Sequence, residues 1–227
     1  MSFKSKILFT LISLLTILIG VFVFKDQQYY LISSILIIYT LIMVMSGFEN
    51  KKNTTSKLVT ISVLIALAVA GRIGFSFLPQ FKPAAAIIII IAVCFGADIG
   101  FMSGAMTGFI SNFFFGQGPW TPWQMFSLAL IGLFAGLIFY NKDMKHRLLW
   151  LCIYGAISTI IIYGGIMNPV SVMIVEPRLT VEAVMVSYAV GIHFDIIHAI
   201  ATVVFLSVLA IPMIKLINRV KLKYDLL

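Results

Sequence analysis

The chain has 227 residues, 61% of them hydrophobic and 11% charged, with a formal net charge of +8. Ordinary soluble domains carry about 25% charged residues, and no water-soluble core of this size could hide so much apolar surface. The composition therefore excludes a soluble domain, and the basic residues, gathered beside apolar runs, read as a membrane topology signal rather than a nucleic-acid surface.

Apolar runs of the length a bilayer requires recur along the chain. They predict an all-α integral membrane protein with eight helices, near 6–24, 29–47, 57–78, 84–96, 98–115, 122–140, 148–166 and 181–213. The first run follows Lys4 and Lys6 and could be mistaken for a signal peptide. It is long for one, and "GVFVFKDQ" offers no small-residue cleavage site, so the reading is a retained helix. The first two helices, within residues 1–50, hold few polar residues and no hint of a site.

The third run carries Ser62, Ala66 and Ala70 at four-residue steps. Such a stripe serves internal packing or the docking of another membrane protein. Arg72 follows in the same run. A cation there is costly unless it is paired or reaches water or a headgroup; it either snorkels outward or offers a fork of donors to a solute. The fourth run is short and passes through "CFGADIG" into the fifth with almost no loop, which predicts a broken or tilted segment covered by protein. In the fifth, Gly96, Gly100, Gly104 and Gly108 form a stripe that predicts tight packing inside the protein, as do Gly132 and Gly136 in the sixth. Asn112 lies near the end of the fifth run.

Between the fifth and sixth runs stands "QGPWTPWQM" (117–125). An interfacial aromatic belt accounts for Trp120 or Trp123 alone. The whole loop, stiffened by Pro119 and Pro122 and furnished with Gln117 and Gln124, predicts a rigid lid over a mostly apolar cavity. The stretch "IMNPVSVMIVEPR" (166–178), containing Asn168, reads as a long outer connection. The eighth helix bears Glu182 near its start, then Tyr188, Gly191, Asp195 and His198 on one face, with His193 elsewhere. Helix packing suffices for Asp195 or His198 singly, though ionisable groups at this depth are candidates for function. His193 and His198 are five apart, which argues against a metal pair. Cys94 and Cys152 form no metal or disulfide motif.

Twelve of the sixteen basic residues fall on one side: Lys4, Lys6, Lys51, Lys52, Lys57, Lys142, Lys145, Arg147, Lys215, Arg219, Lys221 and Lys223. The bias predicts eight crossings with both termini cytoplasmic, which puts residues 78–83, 117–125 and 166–178 outside. Neither a phosphate-binding GxxxxGK[ST] loop nor a GxSxG elbow occurs, so ATP hydrolysis by that route and a Ser/His/Asp set are not expected; the favoured reading has no catalytic residues and no bound cofactor.

From Lys57 onward the chain resembles the substrate-binding S components of bacterial energy-coupling factor (ECF) transporters. The carriers are the stripe Ser62-Ala66-Ala70, the short helix leading through "FGADIGFMSGAMTGFISNFFFGQGPWTPWQM", and "LIGLFAGLIF" after it. The resemblance implies a six-helix core (51–227) preceded by an extra helix pair (1–50), in a bacterial cell membrane. It implies a vitamin site opening outward, with Arg72, Asn112, Gln117, Trp120, Trp123, Gln124, Asn168, Glu182, Tyr188 and Asp195 as its candidate residues. It also implies docking of the small-residue stripe on a membrane scaffold subunit that works with two ATPases, ATP being used by those partners only. The loop is similar to that of S components proposed to take cobalamin, which makes cobalamin the expected vitamin; riboflavin, a queuosine precursor and pantothenate are the alternatives. Two other readings stand beside this one: an intramembrane enzyme using His193, Asp195 or His198, and an assembly partner with no ligand.

Overall fold

The computed structural model describes residues 35, 38–40, 42, 55–142, 146–175 and 180–224. The expected first helix, and nearly all of the second, lie outside the described residues. Within the second, Tyr39 packs against the core and Thr40 is buried.

The described residues are helical, with no strand among them: α1 (Thr55–Gly74), α2 (Ala84–Phe95), α3 (Ala97–Phe115), α4 (Thr121–Phe139), α5 (Arg147–Val175) and α6 (Val181–Lys223). Four of them, α1, α4, α5 and α6, are long and apolar enough to cross a membrane. α3 has the length, but Ser103, Thr107, Ser111 and Asn112 break its apolar run, and all four are buried.

α2 is the centre of the bundle. At about 1.5 Å per residue its 12 residues reach only some 18 Å, short of the roughly 30 Å hydrocarbon core. Every one of them is buried, the five isoleucines Ile87–Ile91 to 2% exposure or less. It packs on α1, α3, α4 and α6, which supplies the protein cover that so short a helix needs. Gly96 alone separates it from α3, at φ +92°, a conformation that other residues rarely adopt.

The glycine stripe packs α3 against α4. A Cβ at Gly100 would meet the Gly132 carbonyl, one at Gly104 the Leu128 carbonyl, and one at Gly136 the backbone of Ala97. Lipid is as apolar as leucine, so helix association here draws on close van der Waals contact rather than escape from water. At the other end of the bundle, basic side chains satisfy helix C-termini: Lys221 Nζ donates to the Cys94 carbonyl at 2.8 Å, and an Arg147 guanidinium nitrogen to the Phe139 carbonyl at 3.3 Å.

Two expectations are corrected. The last helix does not stop near 213 but runs on to Lys223, with Pro212 inside it. The stretch after residue 166 is not a connection as far as Val175: it continues α5 through Pro169. Pro169 cannot donate to the carbonyl of Gly165; Tyr188 Oη, across on α6, donates to that carbonyl at 2.8 Å instead. A wide π turn at Thr159–Gly164 precedes it, the kind of local adjustment that lets a proline persist in a membrane helix.

Candidate substrate-binding site

Where α1, the α1–α2 loop, α2, α4, α5 and α6 come together, a narrow cleft is lined by Arg72, Gln80, Lys82, Ala84, Leu128, Tyr163 and His198. Its enclosed space is about what one ordered water occupies. Arg72, in the last turn of α1, is 8% exposed. Its Nη1 donates to Ser111 Oγ, and its guanidinium lies 5.2 Å from the centre of the Phe115 ring. Lys82, from the α1–α2 loop, holds its ammonium 4.6 Å from the same ring. Burial, and then the Arg72 charge, hold the Lys82 pKa below its ordinary value. Among the described residues, no carboxylate stands on the cleft wall. Two cations therefore share one aromatic ring and one small polar cleft, a strongly electropositive arrangement.

The other side of the cleft is aromatic. The rings of Tyr163 on α5 and His198 on α6 meet edge-on, with centroids 4.8 Å apart. Gln124 Nε2 on α4 donates to Tyr163 Oη at 2.8 Å. The α1–α2 loop is held over this region by Phe75 and Phe81, whose centroids stand 5.1 and 5.6 Å from that of Phe205 on α6.

The residues singled out in the sequence are spread over several places. Arg72 lies on the cleft and Gln124 directly behind it. Asn112 and Gln117 build the α3–α4 loop: Thr121 Oγ1 accepts from Asn112 Nδ2 and from the Gly118 N–H, both at 3.1 Å, and donates to Gln117 Oε1 at 3.0 Å. Gln117 Nε2 donates to the Phe109 carbonyl at 3.0 Å. Trp120 folds back over Gly118 and is 36% exposed, whereas Trp123 is buried in the core at 1%. Neither tryptophan is on the cleft wall. Asn168, Tyr188 and Asp195 form the α5–α6 seam, where Asn168 Nδ2 donates to Asp195 Oδ2 at 2.8 Å. Glu182 is exposed in the first turn of α6. On α1, Ser62, Ala66 and Ala70 are all exposed.

Sequence reasoning missed Gln80, Lys82, Tyr163 and His198 as members of one site. Lys82 carried a signal, as the single cation in the loop "LPQFKP". His198 was placed on the correct helix face, but that face alone does not distinguish a packing contact from a cleft wall.

Long apolar helices packed around a polar, cationic cleft define a multi-pass membrane protein. The model of the family "ECF-type riboflavin transporter, S component" matches residues 52–219, and the chain belongs to this family. It is a transporter-subunit family, not an enzyme family. The chain is 31% identical over 134 residues to the "Folate transporter FolT" of Streptococcus mutans, a match spanning 56% of this chain and 72% of that protein. It is 29% identical over 127 residues to a UPF0397 protein of Aster yellows witches'-broom phytoplasma, spanning 53% and 68%. A UPF0397 protein of Vibrio atlanticus is 31% identical over 96 residues, spanning 38% and 50%. The S-component resemblance is thus supported as a family assignment, without the cobalamin specificity expected from the loop. Among the described residues no group of three or more His, Cys, Asp or Glu side chains could hold a metal ion.

Proposed function

We propose that this chain binds a vitamin in the Arg72 cleft, from the extracytoplasmic side, and delivers it inward when coupled to a membrane scaffold subunit and two ATPases. The observation that carries this reading is Arg72, a buried guanidinium beside Lys82 on a wall without a counter-charge. An uncompensated buried charge is expensive, and an anionic group on the solute would complete it with charge-assisted hydrogen bonds. Among vitamins, folates offer carboxylates and cobalamin a phosphodiester, while riboflavin offers neither. The name of the streptococcal relative favours a folate, and the "GPWTPWQM" loop favours cobalamin. The cleft must widen to take either, and the α1–α2 loop, which carries Gln80 and Lys82, is the element whose withdrawal would open it.

Both termini lie in the cytoplasm in this reading, as the distribution of basic residues indicates. The exposed Ser62-Ala66-Ala70 stripe is the scaffold-docking face.

The test is calorimetric titration of the purified protein with folate, cyanocobalamin and riboflavin. One of the two vitamins that carry an anionic group should bind, and Arg72→Ala should weaken it by at least about 100-fold. Replacing Ala66 with Leu should leave binding intact and stop uptake in cells that carry the energising subunits. Wild-type protein that binds none of the three vitamins, or riboflavin alone, would sink the reading.

A further inference from the structure

Two groups on the cleft wall keep hydrogen-bonding capacity that the fold does not use. His198 is 6% exposed, and its Nδ1 is buried without a partner. Tyr163 Oη accepts from Gln124 Nε2, which occupies one lone pair, and the Oε1 of that same amide is buried without a partner. Both rings line the cleft, and they touch edge-on. Buried polar groups are almost always satisfied, so an orphaned ring nitrogen beside a singly bonded hydroxyl, on two rings that wall one cavity, marks where something else completes them. A neutral imidazole presents one acceptor nitrogen, and a tyrosine hydroxyl whose lone pair is already engaged acts as a donor. Side by side, they complement a carbonyl next to an N–H.

We propose that Tyr163 and His198 are specificity-determining residues that read an amide edge, C=O beside N–H, on the bound vitamin. Gln124 positions them by fixing the direction in which the Tyr163 hydroxyl donates. This inference rests on the vitamin-binding reading above and deepens it. Arg72 and Lys82 take the anionic group, and the aromatic pair takes a neutral polar edge. A site that hydrogen-bonds its ligand also rejects analogues lacking the partner group, because its own atoms are then left unpaired.

The experiment titrates wild-type protein and the variants Tyr163→Phe, His198→Phe and His198→Asn with whichever of folate, cyanocobalamin and riboflavin the wild type binds. Tyr163→Phe removes one oxygen and little volume, and His198→Phe keeps an aromatic ring on its neighbour; elution as a single species by size exclusion checks that each has folded. Each Phe variant should lose roughly 10- to 100-fold in affinity, and His198→Asn should recover part of that loss. A derivative of the same vitamin methylated at its amide nitrogen should bind the wild type weakly and the His198→Phe variant with little further loss. Folded Phe variants that bind as tightly as the wild type overturn the proposal, and mean that the cleft holds only an ordered water there. A wild type that binds no vitamin overturns this proposal together with the functional reading it rests on.

Discussion

The α3–α4 seam and the α5–α6 seam both depend on glycine, but they use it differently. In α3–α4, glycine brings backbone onto backbone: Gly100 faces the Gly132 carbonyl and Gly104 the Leu128 carbonyl. In α5–α6, glycine makes room for polar side chains: a Cβ at Gly164 would strike the Asp195 carboxylate, and one at Gly191 the Asn168 amide. A peptide backbone inside a helix cannot step aside, whereas a side chain has other rotamers. The first seam is therefore a fixed joint. The second, with its π turn, its proline and its hydrogen bonds between Asn168 and Asp195 and between Tyr188 and Gly165, can exchange partners without unfolding a helix. The cleft draws on both, taking Leu128 from the fixed side and Tyr163 and His198 from the adjustable one.

The strongest challenge to this contrast is Gly104→Leu. It drives a branched side chain into the Leu128 carbonyl, a backbone clash beyond the roughly 1–3 kcal/mol of ordinary overpacking. No monodisperse protein should be recovered after solubilisation. Asp195→Ala should be milder: it strands the Asn168 amide in a half-buried seam, at a cost of about 1–3 kcal/mol, seen as a lower Tm in detergent with the protein still folded. Tyr188→Phe should cost less again, about 1 kcal/mol, because only the donor to one carbonyl is lost and the ring remains. If Asp195→Ala proved as damaging as Gly104→Leu, the two seams would not differ in kind.

The same contrast explains what the sequence made legible. Apolar periodicity reports helices directly, and the broken segment at Gly96 and the stripe of Gly100, Gly104 and Gly108 were readable because backbone contact admits only small residues. Pro169 misled because proline usually ends a helix, and the Gly165 carbonyl it leaves open is satisfied by Tyr188, 23 positions further along the chain. The cleft was hardest to read. Arg72 announced itself by its cost in an apolar run, but Lys82, Tyr163 and His198 come from a loop and two helices, and ordinary packing would explain each of them singly. Their meeting is a tertiary fact. The tryptophans drew attention by composition, yet the local hydrogen bonds of Thr121 turn Trp120 onto Gly118, and helix α4 carries Trp123 into the core.

The smallest expected effect sharpens the comparison at the cleft itself. Lys82 sits on the loop, outside the helices, with Arg72, Tyr163 and His198 as the other ionisable side chains of the cleft wall. Burial and the neighbouring guanidinium lower its pKa, so its positive charge is present below that value and is lost, as pH rises, earlier than for an ordinary lysine. Affinity for an anionic vitamin should then be full at neutral pH and decline by a few-fold as pH climbs toward the usual lysine range, while Arg72 stays charged throughout. In Lys82→Met that decline should vanish, leaving a weaker and flatter profile. In Lys82→Arg, whose charge survives to higher pH, affinity should hold level at the wild-type value. A decline that persisted unchanged in Lys82→Met would place the titrating group elsewhere, and Lys82 would then be a loop residue resting on Phe115 rather than part of the anion's surroundings.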